Sequence, residues 1–207
     1  MKNKIALFIY VLLFAQCDFS IVENRHIFYL HGRIIEVQGI NAVSEQFGSY
    51  QYNDIIAALE KSGAVVHHEL RTDSTSFEAF CLRLSRQIDH LVEGGVLANQ
   101  ITVIGASKGG VMAMNIAHQN EQPINYVLLA ANNEAIEREN DWNLHGRILG
   151  IYEKTDKLSN KDYQYWINRS TNAKVFKQLQ INTGLGHGFL YRPLREWLEP
   201  ALNWTKS

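Results

Sequence analysis

Two kinds of hydrophobic pattern alternate along this chain. Short segments rich in apolar and β-branched residues, at 26–30, 64–66, 101–104, 125–131, 147–152 and 174–181, read as strands. Between them lie longer stretches whose apolar positions recur every three or four residues. Ile55, Ile56 and Leu59 mark a helix over about 50–61, which Gly63 stops. Phe77, Phe80, Leu84, Ile88 and Leu91 mark a longer one over about 76–92, with Thr75 or Ser76 available as its cap. Residues 111–118, 162–168 and 190–204 give three more helical segments. This alternation predicts one mostly parallel sheet with helices on both faces, a three-layer α/β architecture of about six strands. The polar interval between the fourth and fifth strands is about fifteen residues, too short for a cap domain.

The first residues break the pattern. Lys2 and Lys4 precede an apolar run, 5–15, that has no polar face. It is too short for a stable membrane-spanning helix and has the parts of a secretory signal peptide. Residues 1–17 are therefore expected to be an export signal and residues 24–207 the folded domain. The protein would then reach the periplasm, the cell exterior or the envelope. Cys17 closes the stretch Leu13-Phe14-Ala15-Gln16-Cys17, which resembles the lipobox of bacterial lipoproteins. Gln16 departs from the small residue usual at its position, so simple cleavage and a lipidated Cys17 holding the protein to a membrane both stay open. Cys81, the other cysteine, falls in the amphipathic pattern of 76–92 and reads as a small core residue.

Composition narrows the function classes. The 207 residues are 46% hydrophobic and 20% charged, with a formal net charge of −1, so no basic nucleic-acid-binding surface is expected. No cluster has metal-ligand spacing, and the adjacent His67 and His68 point to opposite faces of their strand. Neither a metal nor a cofactor is expected, and the pattern leaves the oligomeric state open.

Chemistry concentrates at Gly105-Ala106-Ser107-Lys108-Gly109-Gly110, between an expected strand and an expected helix. Strand, G-x-S-x-G and helix describe a serine lifted above the end of a parallel sheet by a sharp turn. Gly105 and Gly109 remove side chains that such a turn would crowd. The serine also falls where the unpaired N–H groups of a helix start can stabilise an oxyanion. Ligand sites in such sheets form beyond the carboxyl ends of the strands. The polar residues there are His31 and Gly32 after the first strand, Ser107 after the third, Asp156 after the fifth and His187 after the last. Glu153 and Asp141 remain alternatives to Asp156 as the acid.

Taken in chain order, Leu30-His31-Gly32, Gly105 to Gly110, Leu149 to Asp156 and Gly186-His187-Gly188-Phe189 resemble the α/β-hydrolase superfamily over nearly the whole expected domain. The resemblance implies a compact, lidless α/β-hydrolase fold. It also implies Ser107 as nucleophile, His187 as base and Asp156 as the acid that orients it. The backbone N–H groups of Lys108 and Arg33 would form the oxyanion hole, with His31 orienting its loop. A serine hydroxyl needs a base within hydrogen-bond reach, and an imidazole, which titrates near neutral pH, suits that task. The expected reaction is acyl transfer to water from a small or accessible ester substrate. An amide or peptide bond is the second expectation, and a hydrolase-fold binding protein without turnover the third. The Arg33 and Lys108 side chains read as solvated surface charge, with tolerance for an anionic substrate group as the sharper alternative.

Overall fold

The structure, a computed structural model, describes residues 24–159 and 161–206. The expected export signal and Cys17 lie outside the described residues. Six strands form one sheet: β1 (His26–Leu30), β4 (Val65–His68), β5 (Ile101–Ala106), β6 (Asn125–Leu129), β7 (Gly146–Glu153) and β8 (Ala173–Ile181). Their order is β4-β1-β5-β6-β7-β8, and every neighbouring pair is parallel. β1, β5 and β6 are buried along their whole length, which explains their continuous apolar runs. The edge strands β4 and β8 are mixed in exposure and in composition.

Side chains alternate between two cores, as a two-residue strand repeat requires. Ile27 and Tyr29, Ile104 and Ala106, and Val127 and Leu129 face one core. There they meet α1 (Arg33–Gln38), α2 (Tyr52–Glu60) and α7 (Arg195–Trp204) through Ile35, Ile55 and Trp197. Phe28 and Leu30, Ile101 and Val103, and Tyr126 and Leu128 face the other. That core is closed by α3 (Phe77–Glu93), α4 (Lys108–Gln119) and α6 (Gln164–Arg169), through Ile88, Met112 and Trp166. Ser76 caps α3, its Oγ accepting from the Ala79 N–H at 3.3 Å. The fold is the expected three-layer arrangement. Between β6 and β7 stands only the six-residue α5 (Glu134–Glu139), so no cap domain covers the sheet there.

Three local features differ from the sequence expectations. The stretch after Gly32 is helical at once, as α1. It is followed by a hairpin of two-residue strands, β2 (Val43–Ser44) and β3 (Gly48–Ser49). The closing helix does not begin at 190. Residues Gly186–Tyr191 form a 3₁₀ stretch, Arg192 is extended, and α7 follows. Pro193 disfavours helical backbone at the residue before it, which accounts for the break.

The strand order places the site. From β1 the chain crosses to β4 on one side, and β5 then opens the other side. Ligand sites in such sheets form where the strand order reverses, beyond the ends of β1 and β5, and His31-Gly32 and Ser107 emerge there.

Candidate active site

Ser107 joins β5 to α4 with φ 52° and ψ −120°, a left-handed backbone conformation that costs a non-glycine residue about 1–3 kcal/mol. The surroundings enforce it. The Ser107 N–H donates to Leu129 O at 2.8 Å, and its carbonyl accepts from the Gly110 and Val111 N–H groups at 2.8 and 3.0 Å. The glycines are required by close approach. A Cβ at Gly105 would lie 2.3 Å from Gly109 O, and one at Gly109 would lie 2.1 Å from Leu30 O. The elbow therefore packs directly on the end of β1. A Cβ at Gly32 would stand 3.5 Å from the Ser107 Cβ, so the loop after β1 abuts the serine.

His187 lies in the buried 3₁₀ stretch after β8, and Asp156 in the loop after β7. Gly184 and Gly186, at φ 72° and 53°, turn the chain into that stretch. The imidazole Nδ1 is 2.7 Å from Asp156 Oδ2, and Nε2 is 2.9 Å from Ser107 Oγ. An ionised carboxylate only accepts, so Nδ1–H donates to Asp156 and Nε2 is left to accept from the serine hydroxyl. The second oxygen, Asp156 Oδ1, accepts from the Leu158 and Ser159 N–H groups at 2.8 and 3.2 Å. Burial pushes this carboxyl up. The bonds and charge of His187 and the two N–H groups outweigh that and hold it below its ordinary value.

Neither alternative acid touches His187. Asp141 is exposed and paired with Arg169. Glu153 is buried and acts as a staple. Oε2 accepts from the Thr155 N–H and hydroxyl at 2.5 and 2.7 Å, while Oε1 accepts from the Thr183 and Gly184 N–H groups at 2.9 and 3.1 Å. It thus joins the loop that carries Asp156 to the loop that carries His187. Burial raises its pKa, but these donors together lower it below the ordinary carboxylate value.

The side of the site next to β1 holds a second staple. Arg71, just beyond β4, donates its backbone N–H to His31 Nε2 at 2.9 Å, a guanidinium N–H to His31 O, and its Nε–H to Glu36 Oε1 at 3.0 Å. Glu36 Oε2 accepts from Lys108 Nζ at 2.5 Å. Because the backbone N–H can only donate, the His31 proton sits on Nδ1, which donates to Gly32 O at 2.9 Å. Burial and then the Arg71 charge lower the His31 pKa to about 4, so the ring is neutral at neutral pH. Both of its ring nitrogens are taken up by backbone groups, and neither faces Ser107. Lys108 is not the solvated charge expected of it, because a buried carboxylate holds it. Arg33 is exposed.

Glu36, Arg71 and Phe47 were not foreseen. Phe47, between β2 and β3, brings its ring centroid 6.3 Å from that of His187 and packs on Gly188. The signal for Glu36 was a lone charge inside Ile34-Ile35-Glu36-Val37. A cavity of about 1010 Å³ lies between α3 and the β4 edge, and none of Ser107, Asp156 and His187 lines it. Among the described residues no group of three or more metal-ligating side chains converges, and no helix is long and apolar enough to cross a membrane.

No protein-family model matches the sequence, and no curated protein is similar to it. Solved structures are similar in fold. SOBER1 of Arabidopsis thaliana superposes with a TM-score of 0.56 at 13% identity, over 88% of this chain and 98% of that one. MenH from S. aureus gives 0.58 at 15%, over 89% and 95%. The esterase Pf2001 of Pyrococcus furiosus gives 0.57 at 13%, over 88% and 82%. With its six-stranded parallel sheet, helices on both faces and no cap, the chain has the α/β-hydrolase fold in a compact form.

Proposed function

We propose that this protein is a serine hydrolase that cleaves small or accessible acyl esters through an acyl-enzyme. The observation that carries the reading is the unbroken hydrogen-bond chain from Ser107 through His187 to Asp156. In the first step Ser107 Oγ attacks the ester carbonyl while His187 Nε2 takes its proton. Asp156 keeps the proton on Nδ1 and stabilises the imidazolium. The negative charge on the carbonyl oxygen is met by the backbone N–H groups of Lys108 and Arg33, each such donor contributing about 3 kcal/mol. His187 returns the proton to the leaving alcohol, and water, activated by the same ring, releases the acid. Phe47 forms an apolar wall beside the imidazole. With only α5 in the interval before β7, access for an ester is open. The basic start and apolar run of the sequence support export as the setting.

Purified protein is expected to hydrolyse p-nitrophenyl butyrate and to be labelled by a fluorophosphonate. Ser107→Ala should lower kcat by about 10⁴-fold or more and abolish labelling. Labelling that survives this substitution removes Ser107 from the mechanism.

A further inference from the structure

We infer that Glu36 is a positioning residue for this chemistry, tying the Lys108 side chain to α1 and so fixing the two halves of the oxyanion site relative to each other. The inference rests on the hydrolase reading above and adds to it a device outside the triad.

The two proposed N–H donors belong to different elements. Lys108 opens α4 after β5, and Arg33 opens α1 after β1. The β1–β5 ladder ends at the pairing of Leu30 with Gly105, so no strand pairing joins the two segments where the donors must stay in register. Beyond that point, Lys108 Nζ on Glu36 Oε2 is a polar link between α1 and α4 among the described residues. Glu36 lies three residues after Arg33 in the same short helix. Its other oxygen is held by Arg71, which also grips the carbonyl of His31, next to Gly32. A continuous set of bonds therefore runs from His31 O through Arg71 and Glu36 to Lys108. The Arg71 and Glu36 side chains are 0% and 1% exposed and Lys108 is 29% exposed, so water competes at one end only. A lysine beside solvent gives up side-chain freedom to enter such a contact. Here the outcome is to fix the residue that follows the nucleophile. An error of about 1 Å in such geometry can cost on the order of 100-fold in rate.

The cluster holds two cations, one carboxylate and a neutral imidazole, and this separates positioning from a mere field effect. A field effect predicts opposite signs: removing Glu36's charge would favour an oxyanion, and removing Lys108's would disfavour it. Positioning predicts that both substitutions slow the reaction.

The test is hydrolysis of p-nitrophenyl butyrate by the full chain, with active sites titrated by fluorophosphonate. Lys108→Met keeps the side-chain stem and the backbone N–H. It should lower kcat per titrated site about 10- to 100-fold and change KM less than about threefold. It should also weaken inhibition by a trifluoromethyl ketone, whose adduct places an oxyanion on the same donors, by a similar factor. Lys108→Arg, able to reach Glu36, should restore most of the rate. Glu36→Gln should slow kcat too, and Lys108→Met should add little in that background. The inference is overturned if Lys108→Met matches wild type, if its loss only tracks titratable sites with ketone affinity unchanged, or if Glu36→Gln is as fast as wild type. Should Glu36→Gln fail to fold, Glu36→Asp takes its place: it keeps the charge but draws the carboxylate back from Lys108, so it should slow kcat, and a wild-type rate overturns the inference. A wild-type chain that neither turns over nor labels overturns the hydrolase reading and this inference together.

Discussion

Glu36 and Glu153 are the glutamates buried among the described residues, and both stand beside the triad joining loops from different strands. Glu36 is satisfied by two cations brought in on long side chains, Arg71 and Lys108. Glu153 is satisfied by three backbone N–H groups and the Thr155 and Thr183 hydroxyls. The first arrangement takes two charges out of water and part of a third, and recovers the cost only while all its partners are present. The second uses donors that the loop backbone must satisfy anyway, and no substitution of a side chain removes most of them. The half around His31 and Lys108 is thus held by a replaceable network, and the half that carries Asp156 and His187 by the chain itself.

The largest effect should follow from breaking the charged network on one side. Arg71→Met leaves Glu36 buried with one partner and frees the His31 carbonyl, and should cost about 3–5 kcal/mol in urea denaturation. Adding Glu36→Met should recover most of that loss, because Lys108 can turn to solvent and no buried charge remains. Activity should stay low, since the Glu36–Lys108 link between α1 and α4 is then gone. A double variant as unstable as Arg71→Met alone would show that packing, not charge, sets the cost.

Acid should separate the two halves by pH. With its pKa lowered to about 4, His31 stays neutral in the fold while the unfolded chain takes up a proton near the ordinary 6.5. The unfolded state therefore binds more protons between these values, so stability is complete above pH 6.5 and falls as pH drops toward 4, by about 3 kcal/mol from this group. His26 and His67, also lowered by burial, slope the same way. The measurement is thus a comparison of wild type with His31→Gln, whose stability should fall less steeply, by about one proton, across pH 4–6.5. Glu153 and Asp156 are lowered from 4.5 and 3.8, so their contribution is complete above those values and lost only in stronger acid. Equal slopes for the two proteins would mean that His31 is not the group taking up the proton.

What the sequence made legible follows the same division. Buried interior strands write themselves as apolar runs, so β1, β5, β6 and β7 could be read. Ser107, Asp156 and His187 follow strand ends in chain order, and the elbow glycines are forced by contacts within a few residues or at the neighbouring strand end. Short elements carry no readable period, which hid α1, α5 and the β2–β3 hairpin with Phe47. The Glu36 network was hidden for another reason. Its partners stand 35 and 72 positions away, and a charged residue does not encode which distant charge it meets. Glu153 was noticed only as a rival acid, because backbone donors leave no mark in a sequence.

The smallest effect should come from the backbone-held carboxylate. Glu153→Gln keeps the shape but turns an amide NH₂ toward backbone N–H groups, which can only donate, at one or the other end of the staple. The expected cost is about 1–3 kcal/mol in urea denaturation, the desolvation penalty of the N–H groups left unpaired. Thr155→Val removes the nearer of the two side-chain donors and so is the closest counterpart to the Arg71 rescue. It should recover little, because the Thr155, Thr183 and Gly184 N–H groups still face the substituted amide. A double variant restored to wild-type stability would mean that the hydroxyl, not the backbone, holds Glu153. The contrast between the two glutamates would then reduce to the charge of their partners.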